Sequence, residues 1–566
     1  MVNEKTLAIA KAVRIEGVSE QEILDTLTVP NDPKMGDYCL PCFKFAKVLR
    51  KNPAVIANEI AESVTLQSPI VSVTAVNGYV NFVTDKLYTA KKVVGEILEN
   101  GGNYADSDFG KGKTICIDYS SINIAKPFHI GHLCTTVIGG SLYKIYKKLG
   151  YNCVGINHLG DWGTQFGKLI VAFKMWSSEE ELKEKGMKVL TEIYVKYHEE
   201  SEKDPSLDDK AREWFRKIEE NDGEAMRFFN MFKDITINEV QKTYKRLKIN
   251  FDSYNGESFY NDKMQPVIDK LEEKKLLVES DGARIVDLSA YGMPPCLIVK
   301  ADGATLYATR DLAAAYYRKE TYDFYKCLYV VAYQQNLHFR QWIKVIELLG
   351  EPWHSSLIHV PFGMVSLEDG AMSTRKGKVV LLEDVLNKAV EKSLKIIEEK
   401  NPGLENKEDV AEKVGVGAVI FSTLYNNRIK DIVFSYDKVL NFDGETGPYV
   451  QYTNARCNSV LEKVGDVDFA QADFDAINND EGNAVVAALE SFGQVLFDAT
   501  EKFEPCYVSR YLVNLCQSYN KFYLAHRIVN AETQGARIAR AMLTKCVHTV
   551  IEEGLRLLGI SAPEKM

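Results

Sequence analysis

The sequence lacks the features that mark several large classes of protein. No apolar run approaches the length needed to span a bilayer, and the first residues carry no basic stretch followed by an apolar core. The eleven cysteines are scattered, and the one close pair, Cys39 and Cys42, has no second pair at zinc spacing. We therefore expect a cytoplasmic protein without structural zinc or another protein-held metal, in which this pair is two small apolar residues or, as the alternative, a redox pair.

Positive charge is also in short supply. Lysine and arginine number 69 against 79 aspartates and glutamates, which gives a formal net charge of -10. This balance argues against a protein wrapped in nucleic acid by bulk charge, although a local basic groove is compatible with it. A length of 566 residues with 46% hydrophobic residues predicts two to four domains with ordinary cores.

Three regions differ in their sequence pattern. Residues 1–108 combine helical spacing with β-rich runs around Asn77-Gly78 and predict a small α/β domain. Residues 109–400 alternate strands and helices, which predicts a Rossmann-type parallel sheet covered on both faces, with a charged helical insertion at about 175–250. Residues 401–566 show helical spacing throughout and predict an all-helical domain.

A strand that runs into a helix is the central stretch of the chain. The strand ends at Asp118, and Pro127 has the fixed φ that suits a first helical turn, so the helix is expected to start near it. His129 and His132 would then share one face of that turn, where unpaired backbone N–H groups favour an anion. Gly131 leaves room for a close approach. This stretch therefore predicts a binding site for a nucleoside triphosphate.

Polar turns, most of which contain glycine, follow the other predicted strands. In an open parallel sheet, such turns meet at the carboxyl edge, where ligands bind. The last of these turns carries cations between glycines and predicts a loop that closes on a phosphate, with a solvated basic turn as the alternative. The turns and neighbouring polar segments are His158–Gly167, Asp302–Ala315, Tyr333–His338 and Gly363–Lys378; Phe251–Tyr260 is expected to return to the sheet.

Taken together, these motifs resemble those of class I aminoacyl-tRNA synthetases, and specifically the arginyl-tRNA synthetase family. The resemblance covers essentially the whole chain, and its motifs occur in the family's order. The most specific are Ser120–His132, His158–Gly167, Tyr307–Asp311, Met372–Gly377 and Gly447–Arg456.

The resemblance implies a two-step reaction. ATP and L-arginine give arginyl-adenylate and pyrophosphate, and the arginyl group then passes to the 3′-terminal adenosine of its tRNA. The chemistry rests on positioning and charge neutralisation, with Mg²⁺ carried by ATP. The resemblance also implies a monomer, with the tRNA elbow bound by the N-terminal domain and the anticodon by the helical C-terminal domain.

The resemblance places catalytic and nucleotide-binding roles on particular residues. His129 and His132 would contact the phosphates, and Gly131 would admit the nucleotide. In the signature loop, Ala371 and Thr374 stand where the class pattern has two lysines, and Lys126 is our candidate for a compensating charge from the opposite side of the triphosphate, one helical turn before His129. The remaining expected residues are Ser373, Arg375 and Lys376 of the loop, and Gly160, Asp161, His338 and Met364 for ATP.

Arginine selection requires a carboxylate, because a planar guanidinium is best matched by bidentate, charge-assisted hydrogen bonds. Asp311 is the expected partner. Tyr307 matches a family residue that contacts the substrate side chain, and Gln335 and Asn123 match its polar partners. Asp118 is expected to hold the substrate α-amino group.

Two sets of residues are expected to bind tRNA. The helix that starts near Pro448 carries a mixed aromatic and polar face suited to RNA bases. The expected residues are Asn77, Tyr79 and Asn81 in the N-terminal domain, and Tyr449, Tyr452, Asn454 and Arg456 in the C-terminal domain.

Three other functions remain as alternatives. A synthetase for another amino acid is disfavoured by the Tyr307–Asp311 motif and the N-terminal domain. A non-catalytic RNA-binding relative is disfavoured because both histidines and the cationic loop are present. A nucleotidylyltransferase with the same histidine motif would leave the long helical C-terminus unexplained.

Overall fold

The computed structural model describes residues 4–30, 32–301, 307–367 and 380–566. Contacts divide the described residues into two compact units. One holds the residues up to Tyr104 together with Arg456–Phe497 and Asn514–Val550, and the other holds Ala105–Ala455, Asp498–Val513 and Ile551–Met566. The three-domain division made from the sequence stays a prediction.

The N-terminal part of the first unit contains helices and one antiparallel sheet. The sheet has the order β1-β3-β2, and the predicted hairpin at Asn77-Gly78 is confirmed, with positive φ at both turn residues. The elements are α1 Glu4–Ala12, α2 Glu20–Leu24, β1 Tyr38–Pro41, α3 Ala46–Leu49, α4 Pro53–Ser63, β2 Ile70–Val76, β3 Tyr79–Thr84 and α5 Lys86–Asn100.

The helical spacing from Thr6 to Leu27 corresponds to two helices with a break between them. Gly17 has a φ of +77°, a left-handed conformation that ends regular helix. Ser19 then starts α2 with a capping box, in which its hydroxyl accepts from the backbone of Glu22 and the Glu22 carboxylate accepts from the backbone of Ser19. Local capping therefore overrides the apolar periodicity here.

The second unit contains the alternating strands and helices. Its elements up to residue 400 are β4 Thr114–Asp118, α6 Leu133–Lys148, β5 Asn152–Ile156, α7 Gln165–Trp176, α8 Glu179–Lys185, α9 Met187–Ser201, α10 Ser206–Glu219, α11 Gly223–Arg246, α12 Met264–Glu273, β6 Leu277–Ser280, β7 Ala283–Val286, β8 Cys296–Val299, α13 Tyr307–Tyr322, β9 Lys326–Ala332, α14 Asn336–Leu348, β10 Leu357–Phe362, β11 Val365–Leu367 and α15 Leu382–Lys400.

A four-stranded parallel sheet forms the centre of this unit. Its order is β10-β9-β4-β5, and each neighbouring pair is parallel. The predicted parallel-sheet fold is therefore confirmed. Since all four strands run the same way, their carboxyl ends lie along one edge. The stretch predicted as a helical insertion contains α8 to α11.

Phe251–Tyr260 returns to the sheet, as expected, through one parallel bridge between Ser253 and Ile156, and a 3₁₀ turn follows at Glu257–Lys263. One local prediction in this unit is wrong. The helix expected near Pro127 begins later, with a 3₁₀ turn at Ile130–His132 that leads into α6.

The late start of α6 has a long-range cause. The backbone N–H of Ile130 donates to Val380 and that of Leu382 donates to Phe128. This pairing holds His129 in an extended conformation, with φ -106° and ψ 168°, so the helix cannot start before it. Lys126 consequently lies in a loop and not one helical turn before His129.

The rest of the chain is mainly helical, as predicted, but it also contains the short strand β12, Ile432–Phe434, which pairs with β11. The stretch Asn483–Lys502 is two helices that meet at Ser491, and the predicted loop at 466–481 contains two short 3₁₀ turns. None of the helices that the structure describes combines the length and apolar character needed to cross a bilayer. The elements are α16 Lys407–Tyr425, β12 Ile432–Phe434, α17 Tyr436–Val439, α18 Gly447–Val464, α19 Asp480–Glu490, α20 Phe492–Lys502, α21 Cys506–Ala525 and α22 Gln534–Leu557.

Candidate active site

Two histidines stand against each other at the carboxyl end of β4. The backbone N–H of Gly131 donates to Nδ1 of His129 at 3.1 Å, and that of His129 donates to Nδ1 of His132 at 3.3 Å. The ring centroids are 4.0 Å apart. Because Nδ1 accepts in both rings, the neutral form of each carries its proton on Nε2.

The histidines are uncharged at neutral pH. Burial, and next the neighbouring His129, lower the pKa of His132 to about 3. Burial and the charge of Lys126 lower the pKa of His129. The two rings therefore offer neutral N–H donors, and the exposed Lys126 supplies the positive charge beside them.

The loop that precedes Lys126 carries backbone strain. Ser120, Ser121 and Ala125 all have positive φ values, of 68°, 44° and 59°. Non-glycine residues seldom adopt this conformation, and such residues cluster at ligand sites. Asn123, predicted to contact arginine, lies between them with an exposed side chain.

Asn123 and Gly160 are neighbours across a parallel bridge. A Cβ atom at Gly160 would lie 2.4 Å from Oδ1 of Asn123, so a larger residue would push the Asn123 side chain from this position. The structure thus brings together two predicted site residues from the turns after β4 and β5.

Asp118 forms a buried ion pair. Its Oδ2 lies 2.7 Å from Nη2 of Arg318, and its Oδ1 accepts from the hydroxyl of Ser121 at 2.6 Å. The two charged side chains are 8% and 1% exposed. Both carboxylate oxygens are engaged within the protein, which argues against the expected contact with the substrate amino group. Arg318 comes from α13, a partner that the motif around Asp118 gave no sign of.

Asp161 is also engaged within the protein. It is fully buried, and its carboxylate accepts from Nζ of Lys233 at 2.6 Å and from the backbone and hydroxyl of Ser258, both at 2.8 Å. These bonds argue against the expected contact with ATP. They fix the turn at Gly256, where a Cβ atom would lie 2.4 Å from Oδ1 of Asp161.

That turn presents a carboxylate that our sequence reasoning missed. Glu257 faces Arg310 across 3.4 Å, and both side chains are mostly buried. Burial raises the pKa of Glu257 to about 7, opposed by Arg310 and reinforced by Asp311. The only local signal was an acid beside a glycine in a segment that we expected to return to the sheet.

Asp311 lies in the first turns of α13, four residues after Tyr307. Its Oδ2 is 2.5 Å from Nε2 of His338, at the start of α14. Tyr307 is 67% exposed, and Gln335, at the end of the turn after β9, is also exposed. Tyr307 and Gln335, both predicted to contact arginine, are therefore accessible to a ligand.

Met364 follows the end of β10. Its backbone N–H donates to Oδ1 of Asp431 at 2.7 Å, and its carbonyl accepts from Ile432 at 2.8 Å. Both backbone groups of Met364 are therefore bonded within the protein, and its expected contact with ATP stays a prediction. The signature-loop residues Ser373, Arg375 and Lys376, with Ala371 and Thr374, lie outside the described residues.

The N-terminal hairpin exposes part of its predicted RNA surface. Asn77 and Tyr79 are exposed, and Tyr79 packs edge-on against the half-exposed Phe43 at 5.2 Å between centroids. Asn81 is 3% exposed, which argues against direct contact with RNA. Lys44, Lys47 and Arg50 are exposed beside Phe43, and residues 38–58 contain no acidic residue.

The predicted face on α18 is divided in the same way. Tyr452 is 41% exposed and Tyr449 is partly exposed. Arg456 packs over the ring of Tyr523 at 5.4 Å. Asn454 is fully buried, because it lies on the opposite side of the helix from Tyr452, and this argues against direct contact with RNA.

Comparisons with known proteins cover all parts of the chain. The family models described as "Arginyl tRNA synthetase N terminal domain", "tRNA synthetases class I (R), catalytic domain" and "DALR anticodon binding domain" match residues 5–84, 93–436 and 450–566. The arginine–tRNA ligases of Alkaliphilus metalliredigens and Clostridioides difficile are 51% and 52% identical, over 98% of each chain. The solved arginyl-tRNA synthetase of Thermus thermophilus has the same fold, with a TM-score of 0.83 at 24% identity over 100% of this chain and 99% of that one.

The parallel sheet, the histidine turn after β4 and the catalytic-domain match define a class I aminoacyl-tRNA synthetase. Within that class the relatives share half of their residues with this chain along almost its whole length. The chain belongs to the arginyl-tRNA synthetase family, which confirms the family predicted from its motifs.

Proposed function

We propose that this chain catalyses the reaction of its family: it activates L-arginine with ATP and transfers the arginyl group to the terminal adenosine of its tRNA. The observation that carries the proposal is the pair of histidines in the segment that follows the central strand β4. Paired neutral donors lie at His129 and His132, and carboxylates suited to a guanidinium lie at Asp311 and Glu257.

The histidines would act on the phosphates. As the arginine carboxylate attacks the α-phosphate and pyrophosphate leaves, negative charge grows on the phosphate oxygens, and fixed Nε2–H donors stabilise it without reorganisation. Lys126 adds a cation nearby. Among the described residues no cluster of three His, Cys, Asp or Glu side chains is arranged to hold a metal, so Mg²⁺ would be bound by the phosphates.

The arginine side chain would be held by carboxylates. Asp311, whose side chain is 26% exposed, is the proposed partner, and Tyr307 lies four residues before it on α13. Glu257, which also faces Arg310 at 3.4 Å, is a second candidate. Asn123 and Gln335 would contact the polar end of the substrate. In an Asp311→Asn protein the guanidinium would be poorly paired, so KM for arginine should rise by about a hundredfold.

The tRNA would meet the accessible members of the two predicted sets. These are Asn77 and Tyr79 on the hairpin, and Tyr449, Tyr452 and Arg456 on α18. We extend the hairpin surface to Phe43 and the neighbouring cations, because exposed rings beside lysines and arginines suit unpaired bases and phosphates.

The proposal also includes a monomer that acts in the cytoplasm. All eleven cysteines are free and buried, which suits a reducing compartment. The oligomeric state is tested by sedimentation of the purified chain, where a single species of monomer mass is expected.

The decisive experiment is ATP–pyrophosphate exchange with the purified chain and a panel of amino acids, with and without total tRNA. Exchange that depends on arginine is expected, and from the family resemblance it should require tRNA. Exchange with another amino acid would replace the proposed substrate. Binding of tRNA without exchange for any amino acid would favour the non-catalytic alternative.

A further inference from the structure

The carboxylates of the site differ in the charge that faces them. Three of the four pair with a lysine or arginine of the protein. Among the described residues, the fourth, Asp311, pairs with a histidine instead. The three pairs are Asp118 with Arg318 at 2.7 Å, Asp161 with Lys233 at 2.6 Å and Glu257 with Arg310 at 3.4 Å.

The contact between Asp311 and His338 competes with a guanidinium. A bidentate pair needs both oxygens of the carboxylate, and Nε2 of His338 lies 2.5 Å from Oδ2. The two side chains are 26% and 27% exposed, so a small ligand has access to them. A substrate guanidinium that uses both oxygens of Asp311 therefore competes with the imidazole for Oδ2.

The replaced imidazole lies next to the other side of the site. Phe339, the next residue on α14, stacks on the ring of His359 on β10 with centroids 4.2 Å apart. The chain leaves β10 through Gly363 and Met364, the predicted nucleotide side. His338 thus contacts the residue proposed for arginine and lies next to one that packs on the strand leading to the residue proposed for ATP.

We propose that His338 couples the binding of the two small substrates: arginine takes its place at Asp311, and the released imidazole contacts the nucleotide. The inference rests on the proposed function, since it takes arginine as the ligand of Asp311. Each substrate then strengthens the binding of the other by the same factor, because coupling between two sites is reciprocal.

The test is calorimetric titration of the full chain with arginine and with an ATP analogue whose α,β bridge cannot be cleaved, singly and together. In the wild type each ligand should tighten the Kd of the other by about tenfold, the effect of one charge-assisted hydrogen bond made or released. In His338→Ala, arginine alone should bind about as tightly as or more tightly than in the wild type, and the mutual effect should disappear.

Two further variants separate this role from a structural one. His338→Gln retains a side-chain donor and should recover part of the mutual effect. His354→Ala removes another partly exposed histidine, from the segment before β10, and should keep all of it. In exchange assays His338→Ala should raise KM for ATP while KM for arginine stays equal or falls.

The outcomes are distinguishable. If His338→Ala weakens the analogue equally with and without arginine, His338 is a plain nucleotide contact and the inference is overturned. If the wild type binds both ligands without mutual effect, the inference is also overturned while the proposed function stands. If the wild type binds a different amino acid, the proposed function itself fails.

Discussion

Single residues in this site differ most in how their charge is matched. The histidines are held neutral by burial, most carboxylates are neutralised by internal cations, and Glu257 lies in between, with a pKa near neutrality. The protonation state of that one carboxylate therefore changes within the range where enzymes are assayed.

The pH dependence of arginine binding follows from Glu257. Its raised pKa of about 7 means that the carboxylate is neutral below that pH and charged above it, and only the charged form attracts a guanidinium. Lowering the pH from about 8 to about 6 should raise KM for arginine about tenfold, as the ionised fraction falls.

The measurement is KM for arginine in tRNA-dependent exchange over that pH range. Glu257→Gln should give a higher KM that no longer varies with pH. The same pH dependence in that variant would assign the titration to another group.

At the scale of elements, the segment between β10 and β11 packs so closely on a neighbouring backbone that it leaves no space for a side chain. Gly363 donates to the carbonyl of Arg428 at 2.7 Å, and a Cβ atom there would lie 2.3 Å from the carbonyl oxygen of Lys430. The obstacle is backbone, which cannot move aside as a flexible side chain would. This glycine thus permits β11 to pair with β12.

Gly363→Ala should destabilise the β11–β12 pair by about 1–3 kcal/mol, the usual cost of overpacking. The midpoint of thermal unfolding measures the effect, and KM for ATP should rise because Met364 is displaced. Gly403→Ala is the matched control, since nothing lies within 4 Å of a Cβ atom there. An equal change in both variants would contradict the steric argument.

The basic segment beside the hairpin gives a second prediction at this scale. Replacing Lys44, Lys47 and Arg50 by glutamine removes three cations that face no acidic neighbour in residues 38–58. KM for tRNA should rise about tenfold or more. The slope of log KM against log salt concentration should also decrease, by the amount that corresponds to about two to three lost phosphate contacts.

KM for arginine and ATP should not change in that triple variant. Replacement of Lys183, Lys203 and Lys242, exposed lysines of the helical insertion, is the matched control. If KM for tRNA keeps the same salt dependence in the Lys44, Lys47 and Arg50 variant, this surface does not contact tRNA.

The sequence predicted the elements well and the partners poorly, and the difference is physical. Strands such as β4 and β9, and the hairpin at Asn77-Gly78, follow from local pattern and turn chemistry. The start of α6 depends on Val380 and Leu382, and the roles of Asp118 and Asp161 depend on Arg318 and Lys233. A local sequence pattern does not predict a hydrogen-bond or ion-pair partner that lies on another element.

At the scale of the whole molecule, buried neutral histidines make the protein sensitive to acid. Burial lowers the pKa of His132 to about 3 and of His548 to about 4, and it lowers the pKa of His158, which pairs with Arg318. The unfolded chain takes up these protons near pH 6.5, whereas the folded chain does so only at lower pH. The stability that these neutral histidines contribute is therefore fully present above about pH 6.5. It is lost as the pH falls toward the pKa values of the folded chain.

Each such histidine should cost about 1.4 kcal/mol per pH unit below about 6.5. Urea unfolding at several values between about pH 7 and 5 measures the slope, before most carboxylates titrate. His132→Gln should make it shallower. An unchanged slope in this variant would show that other groups govern the loss.

The pairing of residues 128–130 with 380–382 also bears on how the protein is made. His129 lies opposite Leu381, about 250 residues later in the chain. A ribosome that has translated only the first half has therefore produced both histidines without the segment that sets their backbone. The nascent chain gains the native backbone of its histidine turn only after this second segment has emerged, so a prematurely terminated product that ends before Val380 should lack it.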